Sequence, residues 1–257
     1  MTIHLRQICL VAEQLAPVID GITDVLGINS CYIDPGVAHF GLENTLMAIG
    51  TNFIEVVAPV EEKTAAGRYL QRRGGDGGYM VICQVDQHSV QEDCRARAAE
   101  AGVRVAWESP GDTFHVMQLH PGDLKAAFFE ISWDDAEDFT GKWTPAGRLG
   151  WQPHVKTDVT LEFTGVELQS DDPESLANLW SGIAGYPVEY GSGEFSMGLD
   201  NARIRFVEAT DGRGPGLAGI DIRVADRAAV LGRARATGAY RSDEMIELCG
   251  TRFYLSD

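Results

Sequence analysis

Two glutamates lie in matching apolar runs, Phe53-Ile54-Glu55-Val56-Val57 and Phe128-Phe129-Glu130-Ile131-Ser132. Carboxylates in that setting suit proton transfer beside a carbonyl, because burial shifts a carboxyl toward the range where it both takes and gives a proton. A nitrogen donor stands close to the second glutamate in sequence. If the turn occupies Pro121 to Leu124, His120 faces Lys125 and His115 stands directly opposite Glu130 on the same face. A slip of one residue would oppose Val116 and turn His115 away. The cationic stretch Arg68-Tyr69-Leu70-Gln71-Arg72-Arg73 runs into Gly74-Gly75-Asp76-Gly77-Gly78. Arginine forks beside glycine backbone suit a carboxylate or phosphate, which makes Arg68, Arg72 and Arg73 substrate anchors; the same composition also serves a solvated connector. Gly214-Pro215-Gly216-Leu217-Ala218-Gly219 has the glycine spelling of a dinucleotide-binding turn. It precedes a strand where such a turn follows one and opens a helix, so no nucleotide cofactor is expected.

The elements that must position these groups repeat. Gln7 to Val11 is an apolar run, and in Glu13 to Gly27 the residues Leu15, Val18, Ile19, Ile22 and Leu26 keep helical spacing before a glycine stop. Apolar stretches at Cys31–Ile33, Leu46–Ile49 and Phe53–Val57 follow, separated by turn formers such as Asp34-Pro35-Gly36. This βαβββ order restarts at Gly78, at Phe163, where Asp172-Pro173-Glu174 opens the helix, and at Gly219, whose helix runs from Asp226 to Ala236. Aligning first strands places Gln7, Met80, Gly165 and Gly219 at one position. Aligning last strands places Glu55, Glu130, Arg205 and Tyr254 at another. Residues 135–158 break the rhythm and are read as a linker between residues 1–134 and a shorter second half, 159–257.

Composition excludes several functions. The 257 residues carry 21 Lys and Arg against 38 Asp and Glu, a net charge of −17. Nucleic acid and anionic membranes are repelled at long range by such a chain. No apolar run is long enough to span a bilayer and the N-terminus lacks a targeting pattern, so a cytoplasmic protein is expected. The five cysteines show no CxxC spacing and read as reduced packing residues.

Paired βαβββ modules with Gln7 early in the first strand and glutamates in the last strands resemble the vicinal oxygen chelate superfamily. That superfamily includes glyoxalase I, methylmalonyl-CoA epimerase, extradiol dioxygenases and bleomycin-resistance proteins. The strongest local matches are Phe53 to Pro59, and Leu119-His120-Pro121-Gly122-Asp123 through Ile131. Residues Asp34 to Asn44 also resemble bacterial glyoxalase-like proteins. The resemblance implies an α+β fold of four βαβββ modules paired into two half-barrel domains. It implies one divalent metal, zinc, magnesium or manganese, on Gln7, Glu55 and Glu130, with Met80 where a histidine is common and His115 as a substitute nitrogen ligand; a metal-free protein stays open. It sets His39 and Asn44, on the second and third strands, near the inner wall with His120 as substrate contacts. The activity implied is a lyase or isomerase acting on a small carbonyl or organic acid, with enolate stabilisation and proton transfer by Glu55 or Glu130. A metal-free sequestering protein is the alternative, and an extradiol dioxygenase ranks third. The partner expected is a small molecule, with no nucleic acid or membrane, and a homodimer is compatible with all of these readings.

Overall fold

Four times along the chain an apolar strand is followed by a helix and a return to the sheet. The computed structural model describes residues 2–257. The first module comprises β1 (Ile3–Val11), α1 (Leu15–Leu26), β2 (Ser30–Tyr32), β3 (Leu42–Ile49) and β4 (Asn52–Pro59), followed by α2 (Ala65–Arg73). The second comprises β5 (Gly77–Val85), α3 (His88–Glu100), β6 (Val105–Pro110), β7 (Phe114–Leu119), the single turn α4 (Pro121–Leu124) and β8 (Phe128–Asp134). The third comprises β9 (Thr160–Ser170), α5 (Pro173–Ala184), β10 (Glu189–Gly191), β11 (Glu194–Gly198) and β12 (Arg203–Glu208). The fourth comprises β13 (Gly216–Val224), α6 (Arg227–Thr237), β14 (Met245–Leu248) and β15 (Thr251–Ser256). Its second strand shrinks to an isolated bridge between Tyr240 and Ile246. Among the described residues no helix is long and apolar enough to cross a membrane.

The contacts divide the chain into two compact units, named here for their place in the sequence. The central unit holds the chain up to Gln7, Tyr79–Lys142 and Gly165–Leu217. The terminal unit holds Ile8–Gly78, Trp143–Thr164 and Ala218–Asp257.

In the central unit β8 pairs parallel with β5, opposing Ile82 to Glu130, and antiparallel with β7, which in turn pairs with β6. The third module repeats this plan: β12 runs parallel to β9, opposing Glu167 to Arg205, and antiparallel to β11. Helices α3 and α5 pack together. Asp172 starts α5 as the sequence suggests, its side chain accepting from the Ser175 N–H with Pro173 behind it. At the other end of that helix Arg97 donates to the carbonyls of Ile183 and Ala184, at 2.8 and 3.2 Å. Those carbonyls have no partner within their own helix, so the guanidinium closes its C-terminus. Trp180, fully buried, stacks on Phe129 with centroids 4.7 Å apart, and its Nε1 donates to the Leu124 carbonyl at 3.1 Å.

In the terminal unit β2, β3 and β4 form an antiparallel meander that opposes Leu46 to Glu55, while β15 runs parallel to β13 and opposes Asp221 to Tyr254. Helix α1 packs on α6 and stops at Gly27, whose φ of 70° suits glycine. Of the stretch read as a linker, Trp143 and Trp151 are buried in this unit, and Trp151 meets Phe53 edge to face at 5.2 Å.

The two deductions drawn from repeat alignment hold where the register shows it. Met80, Gly165 and Gly219 each lie two residues before the first-strand residue that opposes Glu130, Arg205 or Tyr254. Trp180→Ala removes an aromatic stack and a hydrogen bond from one core site at once. It is expected to cost about 3–5 kcal/mol of unfolding free energy, measured by urea denaturation; a loss below about 1 kcal/mol would show that the α5 core is not organised around this ring.

Candidate functional site

Glu130 belongs to a strand that is buried almost throughout, and the residue itself is 5% exposed. Ionised carboxylates are costly in that position unless donors meet both oxygens. The sheet supplies them locally. Gln118, directly opposite on β7, donates from Nε2 to one oxygen at 2.8 Å, and the Ser132 hydroxyl, two residues along β8, donates to the other at 2.8 Å. Both donors complement a negative charge and fix the plane of the carboxylate.

Glu55 in the terminal unit is treated similarly. It is 6% exposed, and Asn44 Nδ2 on the neighbouring strand donates to its Oε1 at 2.8 Å. The Asn44 carbonyl oxygen is in turn fixed by the Asp34 N–H at 3.1 Å. The equivalent position of the third module carries Arg205, which bridges Glu167 at 2.8 Å and Glu194 at 3.5 Å. That guanidinium pairs with neighbouring acids in its own module.

The expectation that His115 opposes Glu130 is corrected by the register, which opposes His115 to Trp133 and Gln118 to Glu130. The connection is longer than a four-residue turn: it winds through α4 and leaves by Lys125 at φ 61°, so Leu119 and Phe129 close the pairing. The His115 ring packs on His88, centroids 4.2 Å apart, and on Trp133 at 5.3 Å. His120 caps α4, accepting from the Gly122 N–H at 3.2 Å. His39 is on no strand; it lies exposed in the short helical turn Pro35–Phe40, opened by Asp34. Arg68, Arg72 and Arg73 fall on α2, capped by Thr64 and Gly74, where a flexible connector was one reading. Arg68 donates to the Lys63 carbonyl, Arg72 lies over the Tyr69 ring at 5.4 Å, and Arg73 is buried. An open pocket of about 520 Å³ beside α2 is lined by Glu61, Glu62, Lys63 and Gln71 but by none of these arginines.

The donor set expected for a metal loses His115, its substitute nitrogen ligand. With His115 turned onto His88 and Trp133, the central unit offers Glu130, Gln7 and Met80, which are one carboxylate, one amide and one thioether. Hard divalent cations prefer several oxygen ligands and avoid thioethers. Among the described residues no group of three or more His, Cys, Asp and Glu is arranged to hold a metal ion. Gln7, Met80 and Glu130 alone do not make a cation site, and no step of the proposed chemistry runs through a metal.

Sequence reasoning missed Gln118 and Ser132 as partners of Glu130. Ser132 was readable, since residues two apart on a strand share a face, whereas Gln118 depended on the register. Cys83 is no nucleophile: burial pushes its thiol well up, and Cys94 and Glu130 push the same way.

A family profile described as a glyoxalase-like domain matches residues 8–184. No curated protein matches the chain. Among solved structures, a hypothetical protein from Staphylococcus aureus is 15% identical with a TM-score of 0.65, covering 100% of this chain and 99% of that one. The Mn(II)-bound glyoxalase from Novosphingobium aromaticivorans is 12% identical with a TM-score of 0.66, covering 98% and 81%. Methylmalonyl-CoA epimerase from Mycobacterium tuberculosis is 22% identical over 51% of this chain and 87% of its own, with a TM-score of 0.43. The first two share the fold along essentially the whole chain.

Gln118→Leu and Ser132→Ala each remove a donor from one oxygen of the buried carboxylate. Each is expected to cost about 1–3 kcal/mol of stability at neutral pH, and adding Glu130→Gln to Ser132→Ala should return part of the loss. Denaturant unfolding of the set measures this; unchanged midpoints in both single variants would show that water already satisfies the carboxylate.

Proposed function

The chain belongs to the glyoxalase-like domain family, within the vicinal oxygen chelate superfamily, and from that premise we propose that it is a lyase or isomerase working beside the carbonyl of a small carbonyl or organic-acid substrate. The observation that carries the reading is the Glu130 carboxylate, buried on a sheet face with a separate donor on each oxygen. A group held that way keeps one orientation, which proton transfer to or from carbon requires.

In this scheme Glu130 takes the proton from the carbon next to the carbonyl. The electron pair of the broken C–H bond moves into an enolate. The Gln118 amide has two N–H groups and commits one to Glu130, so the other is available to an enolate oxygen. Glu130, now a carboxylic acid, returns the proton on the same face, to the neighbouring carbon in an isomerisation; an epimerisation needs a second acid on the opposite face of the enolate. The Glu55 and Asn44 pair offers the same chemistry within the terminal unit.

A second reading, a metal-free protein that sequesters a planar small molecule, is favoured by Met80 and by the aromatic pair Tyr79 and Phe128, edge to face at 5.1 Å. Solvent deuterium uptake separates the two. Incubated in heavy water with a panel of 2-methyl thioesters, 2-hydroxy ketones and 2-keto acids, the protein should label the carbon next to the carbonyl of at least one compound. Glu130→Gln should lower that rate about 10²–10⁴-fold. Binding of a panel member without exchange, or exchange unaffected by both Glu130→Gln and Glu55→Gln, sinks the enzymatic reading.

A further inference from the structure

Glu130 is 5% exposed, and Ser132, Asp134 and Gln84 are 0% exposed. A ligand reaches this row only when something over it moves. Glu130, Ser132 and Asp134 alternate along β8 and so share one side of the strand. Gln84, opposite Ser132 in the parallel register, lies on that side too.

The segment that reaches this side at Gln84 and Asp134 follows β8 directly. Residues 135–142 form neither helix nor strand, and 135–138 and 140 are exposed. At its start the Asp135 N–H donates to the Thr113 carbonyl and the Ala136 N–H to an Asp134 carboxylate oxygen, both at 3.0 Å, and further contacts follow along it. Gln84 Nε2 donates to the Asp138 carbonyl at 3.4 Å, and Arg6 Nη2 donates to the Gly141 carbonyl at 2.9 Å. Phe139 stacks on His4 with centroids 4.8 Å apart, and Lys142 pairs with Asp134 at 2.9 Å and with Asp135. Only Phe139 contributes a large apolar group, whereas the other side of β8 is fixed by the stack of Phe129 on the buried Trp180. Beneath the segment the Gln84 Oε1 atom is buried without a hydrogen-bond partner. Segments with few apolar contacts occupy the low-stability end of a fold.

We infer that residues 135–142 are a strap that gates the Glu130 face, latched by Lys142 on Asp134. The strap opens by breaking that pair, exposes the row from Gln84 to Glu130, and leaves the Gln84 carbonyl oxygen as an acceptor for a ligand N–H or O–H. Closed, it excludes water from the carboxylate, the usual service of a lid. The inference goes beyond the proposed reaction and stands whether or not that reaction is correct, because access is measured without turnover.

The test uses the full chain. Carboxyl groups are labelled with a water-soluble carbodiimide and glycine ethyl ester, and peptide mass spectrometry reads Glu130 and Glu55 separately; amide hydrogen exchange reads residues 135–142. Lys142→Met is expected to speed exchange in the strap and to raise Glu130 labelling several-fold, with Glu55 unchanged. Asp135→Asn removes the exposed half of the latch and should do the same to a smaller degree. Should Lys142→Met unfold the protein, seen as labelling that rises at both glutamates, Asp135→Asn decides. Faster strap exchange with constant Glu130 labelling, or no change in either, overturns the proposal.

Discussion

The register between β7 and β8 is the constraint on which the central unit's site depends. Glu130 sits where water barely reaches, and an ionised carboxylate there is tolerable only because each oxygen has a donor. One of those donors comes from the adjacent strand. A one-residue shift would set Met117 or Leu119 opposite Glu130 and take away the donor from β7. The connection between the strands therefore does chemical service. It fixes the register through α4, with His120 capping its start and Lys125 adopting φ 61° at its end. Residues remote from any substrate thus decide whether the carboxylate is held.

The same structural position meets different fates in the four modules, and the difference follows from its immediate partners. Glu55 and Glu130 face neutral amide or hydroxyl donors, so their charge is oriented by neighbours that carry none of their own. Arg205 faces Glu167 and Glu194 and forms ion pairs on its own sheet. Buried ion pairs of that kind add little net stability, since desolvation consumes most of the attraction, but losing one partner would strand a charge. Tyr254 opposes Asp221 on paired strands. The position repeats along the modules while the charge at it is reversed in one copy and removed in another.

The repeat was legible because strand, helix and turn signals are local. The alignment of Glu130, Arg205 and Tyr254 survives in the registers, and the Asp172 cap and Gly27 stop work as their residue types suggest. What sequence did not disclose was set by loop geometry or by distant partners. Helix α2 had its signals, Thr64 before it and Gly74 after it, yet the run of glycines that follows left a connector as one of two readings. His39 was placed on a strand because the turn at Asp34-Pro35-Gly36 continues into a helical turn before β3 begins. The His115 pairing failed for want of the extra residues between Leu119 and Phe129. The buried Arg6, whose acidity burial shifts to a pKa of about 10 against the opposing pull of Asp138 and Asp134, has no local signature. Its contact with Gly141 joins residues that nothing in the sequence associates.

A latch made from Lys142 and Asp134 has consequences that a hydrophobic one would lack. Burial pulls the Lys142 ammonium down, but hydrogen bonds to Asp135 and Asp134 outweigh it and hold the group above its ordinary value, so the latch is charged throughout the physiological range. Asp134 is fully buried beneath the strap. If Lys142 alone swung away, the buried Asp134 carboxylate would lose an ion pair in a dry site, a state costlier than the intact pair. Opening must therefore admit water to Asp134 at the same step that releases Lys142. That requirement disfavours half-open states and makes the strap behave as two populations, closed and open. Polar contacts that water can replace keep the gap between them small, whereas an apolar seal such as the Phe129 and Trp180 stack would not reopen at comparable cost. The side of β8 that must stay shut is sealed by aromatic rings, and the side that must open is sealed by charge.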